Sequence, residues 1–78
     1  MKIGDMVKVN EYGASHWDIL NVGMIGRVVY QWPDLLDGTY YAVEWQGMIK
    51  GHNCNGYAKD GAGWNVYDDD VDVIKEHN

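Results

Sequence analysis

The stretch Gly51-His52-Asn53-Cys54-Asn55-Gly56 holds the residues best suited to chemistry. His52 and Cys54, the only thiol, stand two apart, a spacing that puts both on one face of a strand. Such a pair could contribute two soft ligands to a metal, or a nucleophile with its base. Structural zinc takes four ligands, and only His16, His77 and scattered acids remain, with no second pair at ligand spacing. For catalysis, nothing in the sequence supplies an orienting carboxylate or an oxyanion hole. The preferred expectation is therefore structural: Cys54 is a small buried hydrophobe, and His52 hydrogen-bonds the loop backbone. A small metal-dependent module built on His52 and Cys54 is the least favoured alternative.

Two other patterns fall short. Asp68, Asp70 and Asp72 alternate like the first oxygen ligands of an EF-hand loop, but Val73 stands where that loop requires Gly, and the closing ligand would lie beyond Asn78. Gly56 and Gly61 have the offset of a phosphate loop, but Ala62-Gly63 replace its Lys-Ser/Thr and no helix follows. Ser15 is the sole serine. These patterns predict a protein that is not an enzyme, with no cofactor and no dedicated metal site.

The elements that position these residues are short. Met1–Val9 alternates as a strand, and Asn10–Gly13 is a turn cluster. Residues 14–22 form a long loop in which Ser15 and Asp18 offer a capping pattern for one helical turn. Gly23–Tyr30 is the clearest strand, with Gly26 placed where the strand bends sharply or another backbone comes close. Trp32-Pro33-Asp34 ends it, because Pro cannot donate to a ladder. Residues 33–39 are a loop turning at Asp37-Gly38. Tyr40–Trp45 follows as a strand, with Tyr41, Val43 and Trp45 on one face and Tyr40, Ala42 and Glu44 on the other. The glycines of 51–67 let the chain turn twice, at Asn55-Gly56 and Asp60-Gly61, before Trp64–Tyr67 returns as a strand. After a turn at Asp68–Asp70, Val71–Ile74 is the last strand and 75–78 a tail. Five short strands separated by turn signals predict one all-β domain, a small barrel.

Composition limits the partner. The chain has 78 residues, a net charge of −6, four Trp, six Tyr and no Phe. The acidity argues against direct nucleic-acid binding, which needs a basic patch. With one cysteine no internal disulfide can form, which points to a reducing compartment. The chain shows no signal segment and no apolar run approaching about 18 residues. The expectation is a cytoplasmic protein, monomer or homodimer, that engages no membrane.

Gly4-Asp5-Met6-Val7-Lys8-Val9 followed by Gly23-x-x-Gly26-x-Val28-Val29 resembles the opening of SH3-like barrels of the KOW and mind-bomb type. Gly51-His52-x-Cys54-x-Gly56, Asp60-Gly61-x-Gly63-Trp64-x-Val66 and Asp70-Val71-x-Val73-Ile74 are similar to a tail motif of small bacteriophage and prophage proteins. The resemblance implies a five-stranded SH3-like barrel with one long loop after the first strand, encoded by a phage and acting in a bacterial host cell.

Inward-facing Val7, Val9, Val28, Val43, Trp45, Trp64 and Val66 fill much of so small a core. Trp17, Trp32, Tyr12, Tyr30, Tyr40, Tyr57 and Tyr67 cannot all join them, and Trp and Tyr are favoured in protein interfaces. The expected function is a non-enzymatic module that binds, and inhibits or redirects, a host protein. Its contact face is placed on Trp17, Trp32, Tyr12, Tyr30 and Tyr40, flanked by Asp34 and Asp37. The alternative is an acidic nucleic-acid mimic, with Asp34, Asp37, Asp68, Asp69, Asp70 and Asp72 standing in for phosphates against a basic groove.

Overall fold

The computed structural model describes residues 1–34 and 38–74. Five antiparallel strands form one sheet: β1 (Met6–Val9), β2 (Ile25–Asp34), β3 (Gly38–Trp45), β4 (Gly63–Tyr67) and β5 (Val71–Val73), in the order β4-β3-β2-β1-β5. The chain meanders from β1 to β4 and then crosses a 3₁₀ turn, Asp68–Asp70, to lay β5 beside β1. This is the strand order of an SH3-like barrel, left open between its two edges, β4 and β5. The five expected strands are all present.

Their ends differ from the sequence expectation for identifiable reasons. β1 starts at Met6, not Met1: Gly4 has φ 98° and the Asp5 N–H bonds the Lys2 carbonyl, so residues 2–5 are a turn. β2 runs through Pro33, which pairs with Thr39. Proline is tolerated there because β1 pairs only with Ile25–Arg27, which leaves the later half of β2 with an open edge.

The expected 14–22 loop contains a helix that begins earlier. Helix α1 spans Glu11–His16 and is capped by Asn10, whose side-chain oxygen accepts the Gly13 N–H at 2.9 Å, rather than by Ser15. Asn10 also donates from its side chain to the Asp69 carbonyl at 2.9 Å, so a single residue starts the helix and ties it to the 3₁₀ turn. Gly13, expected to close a turn cluster, lies inside this helix because contact demands it. A Cβ there would collide with the Asp70 carbonyl oxygen.

Val7, Val9, Val28, Val43, Trp45 and Val66 are buried as expected, joined by Leu20, Tyr41 and Val71, with half-buried Trp64 packed against them. A β-bulge between Val28 and Tyr30 shifts the register. Val28 pairs with inward Val43, whereas Tyr30 pairs with Ala42 and Trp32 with Tyr40. The bulge therefore turns Tyr30 and Trp32 onto the outer face. There a second small cluster of Ala42, Cys54 and Ala58 packs beneath Tyr30 and Trp32. Gly26 sits where expected, its missing Cβ leaving room for Val43, Trp45 and the Glu44 carbonyl.

Candidate functional site

The outer face of β2, β3 and β4 gathers most of the rings not used in the main core. Pairing sets Trp32 beside Tyr40, and Tyr40 beside Tyr67. The loop before β4 folds over this face and adds Tyr57, stacked on Tyr30 with ring centroids 4.0 Å apart and edge-on to Trp32 at 5.6 Å. A hydrogen bond to Tyr30 is the main influence raising the Tyr57 phenol above its ordinary range. Trp32 meets Tyr30 at 4.5 Å and donates its indole N–H to the Asn65 side-chain oxygen at 3.2 Å.

Two clefts open on this face. One, of about 350 Å³, is lined by Trp32, Tyr40, His52, Asn53, Cys54, Asn55 and Asn65. The other, of about 270 Å³, is lined by Trp17, Tyr40, Asn65, Val66 and Tyr67. They share Tyr40 and Asn65, and among the described residues neither is lined by Asp, Glu, Lys or Arg. A third cleft of about 380 Å³ is of a different kind, with Arg27, Glu44 and Lys59 beside Met6, Trp45 and Met48.

The wall of the first cleft is an unusual backbone. Cys54, Asn55 and Gly56 have φ of 51°, 60° and 95°, three consecutive left-handed residues. Left-handed residues other than glycine cost free energy and cluster at ligand sites. The turn is held by the Asn53 carbonyl, which accepts the N–H groups of both Gly56 and Ala58 at 2.9 Å. His52 Nδ1 accepts the Cys54 N–H at 2.9 Å, which assigns the ring proton of neutral His52 to Nε2. The expectation that His52 serves the loop backbone is thus met, although the ring is exposed and not packed under the loop. Cys54 is buried. Burial, the largest influence, pushes its thiol up to about 11, aided by the charge of Glu44 and opposed by a hydrogen bond from the Val43 backbone. Such a thiol is a poor nucleophile and a poor metal ligand at neutral pH.

The expected contact residues divide. Trp32, Tyr30 and Tyr40 lie together on the outer face. Tyr12 lies apart on α1, 57% exposed, its ring 5.7 Å from His16. Trp17 borders the second cleft, but its indole N–H is committed to Asp70 Oδ2 at 2.7 Å and its ring packs edge-on to Trp64. Asp34 ends β2 and pairs with Gly38; Asp37 lies outside the described residues.

The acidic array needs one correction. Asp68, Asp69 and Asp72 are exposed, but Asp70 has no exposed surface. Its carboxylate accepts from Trp17 Nε1 and the Tyr67 N–H through Oδ2 and meets His16 Nδ1 at 3.0 Å through Oδ1. Asp70 is an internal junction and cannot face a basic groove. It is equally unable to serve as the middle ligand of a cation loop. Among the described residues, no group of three or more His, Cys, Asp or Glu is arranged to hold a metal ion.

Sequence reasoning missed the carboxamides. Asn53, Asn55 and Asn65 signal only turns and a strand interior when read along the chain, and it is the fold over β3 and β4 that assembles them. Comparison with family models, curated proteins and solved structures gives no match to this chain. Among the described residues, no helix is long and apolar enough to cross a membrane.

Proposed function

We propose that this protein is a non-enzymatic binding module that engages a partner protein through the outer face of β2, β3 and β4. One observation carries the reading: Tyr30, Trp32, Tyr40, Tyr57 and Tyr67 are collected on one face, around two clefts that, among the described residues, no Asp, Glu, Lys or Arg lines. Rings supported from below and open from above are the composition of interface hot spots. The contact face, expected on Trp17, Trp32, Tyr12, Tyr30 and Tyr40, is centred here on Trp32, Tyr40 and Tyr57, since Trp17 is held by Asp70. The similarity of the tail motif to small phage proteins motivates a cytoplasmic bacterial host protein as the partner, inhibited or redirected on binding.

The test is capture of partners from a bacterial lysate at low and high salt, using the native chain, Tyr57→Ser and Tyr12→Ser. A protein retained at both salts, lost with Tyr57→Ser and kept with Tyr12→Ser, is the expected result. Retention unchanged by Tyr57→Ser refutes the contact face. The nucleic-acid mimic, with Asp70 removed from its array, makes a different demand. Its partner would bind nucleic acid and be released as salt rises.

A further inference from the structure

The cleft bordered by the left-handed turn carries more specific information than the rings around it. From the lining of that cleft we infer that it is a binding site for a neutral sugar, a single pyranose ring or the end of a glycan. The inference goes beyond the protein-binding reading and does not depend on it.

Among the described residues, no Asp, Glu, Lys or Arg lines the cleft to serve recognition built on a phosphate, a carboxylate or a cation, and its polar groups are carboxamides and one imidazole. Three planar carboxamides, Asn53, Asn55 and Asn65, meet around one space of about 350 Å³, at the small end of ligand pockets. Each presents both an acceptor and donors. A peptide bond uses one such pair and a nucleobase edge uses a few in a single plane. An array of ring hydroxyls, each both donor and acceptor, can use three groups placed around a cleft. Two of the polar groups are oriented in advance. Trp32 Nε1 donates to Asn65 Oδ1, which leaves the Asn65 amide protons for a ligand. Cys54 N–H donates to His52 Nδ1, which leaves Nε2–H as that ring's donor. Trp32 and Tyr40 supply aromatic surface for the apolar C–H face of a pyranose. Cys54 holds a left-handed φ of 51° that only glycine or asparagine adopts readily, a cost of the kind found where a loop is shaped for a ligand.

The experiment is an NMR titration of the ¹⁵N-labelled chain with the methyl glycosides of glucose, galactose, mannose and N-acetylglucosamine, each up to about 50 mM. N-acetylglycine N-methylamide serves as a peptide-like control. The expected result is a saturable shift of the Trp32 indole and the Asn55 and Asn65 side-chain amides with at least one glycoside, and none with the control. Asn55→Gly removes a carboxamide while relieving a left-handed φ, so the fold is retained with an unchanged or higher Tm. Affinity for the glycoside should fall about tenfold. Three results would each overturn the inference: no saturable shift with any glycoside, a shift unaffected by Asn55→Gly, or saturation by the peptide-like control alone. None bears on capture by Tyr57, so the two readings fail separately.

Discussion

Asp70→Ala should come close to unfolding this protein, while the same change at its neighbours should do almost nothing. The Asp70 carboxylate is fully buried and meets three nitrogen groups: Trp17 Nε1 at 2.7 Å, Tyr67 N at 2.9 Å and His16 Nδ1 at 3.0 Å. These come from the segment after α1, from the end of β4 and from α1 itself, so one side chain closes the helix onto the turn that joins the two sheet edges. At about 1–1.5 kcal/mol for each bond, losing them together costs about 4 kcal/mol. A chain of this length has a total stability of roughly 4–12 kcal/mol. Asp70→Asn keeps an oxygen for Trp17 and Tyr67, and neutral His16 can present a lone pair at Nδ1 to the new amide. It should cost about 1–2 kcal/mol, a fall of about 1–2 M in urea midpoint at a slope near 1 kcal/mol per molar. Asp68→Ala and Asp69→Ala should stay within about 0.5 kcal/mol, since Asn10 reaches the Asp69 backbone and not its carboxylate. Urea denaturation at neutral pH, followed by tryptophan fluorescence, measures all four. An Asp70→Ala protein with a midpoint within about 0.5 M of the native chain would refute the junction.

Two further outcomes follow from the same geometry. Gly13→Ala should destabilise by about 2 kcal/mol or more, although alanine is about 1 kcal/mol better than glycine within a helix, because its Cβ would enter the Asp70 carbonyl; a rise in Tm would contradict the close approach. Cys54 should resist alkylation at pH 8 in the folded state, and its thiol should make stability depend on pH only under alkaline conditions. The folded chain keeps that proton up to about 11, whereas the ordinary value of 9.0 applies once it unfolds. Unfolding is therefore increasingly favoured as pH rises through 9 toward 11, and the thiol's slope fades about one unit below 9. Chemical denaturation of the native chain and Cys54→Ala across this range should show the slope reduced in the variant; equal slopes would place the thiol in water.

What could be read from the sequence was whatever a single segment determines by itself. The two faces of Tyr40–Trp45 followed from alternation alone, and Val7, Val9, Val28, Val43 and Val66 followed from β-branched runs. Asn10 was legible as a turn residue but not as a cap, because the choice depends on Asp69 lying across from it, 59 positions along the chain. Asp70 looked like the middle of an acidic run; only the packing of Trp17 and His16 against it shows that it is internal. Pro33 looked like a strand end because the open edge of β2 that accommodates it exists only because β1 stops pairing at Arg27.

The outer face depends on two such non-local features acting together. Strict alternation from Val28 would send Tyr30 and Trp32 toward the main core, beside Val43 and Tyr41. The bulge at Val29 reverses this and delivers both rings outward, opposite Ala42 and Tyr40. An outward Trp32 would lie open without the turn at Cys54–Gly56, which brings Cys54 and Ala58 beneath the rings and Tyr57 against them. The same turn sets Asn53 and Asn55 opposite Asn65, whose oxygen fixes the Trp32 indole. Each feature carries a cost that the main core does not require: a broken ladder at Val29, and left-handed backbone at Cys54 and Asn55. Both converge on one cleft, and that convergence is the physical reason to look for a ligand there.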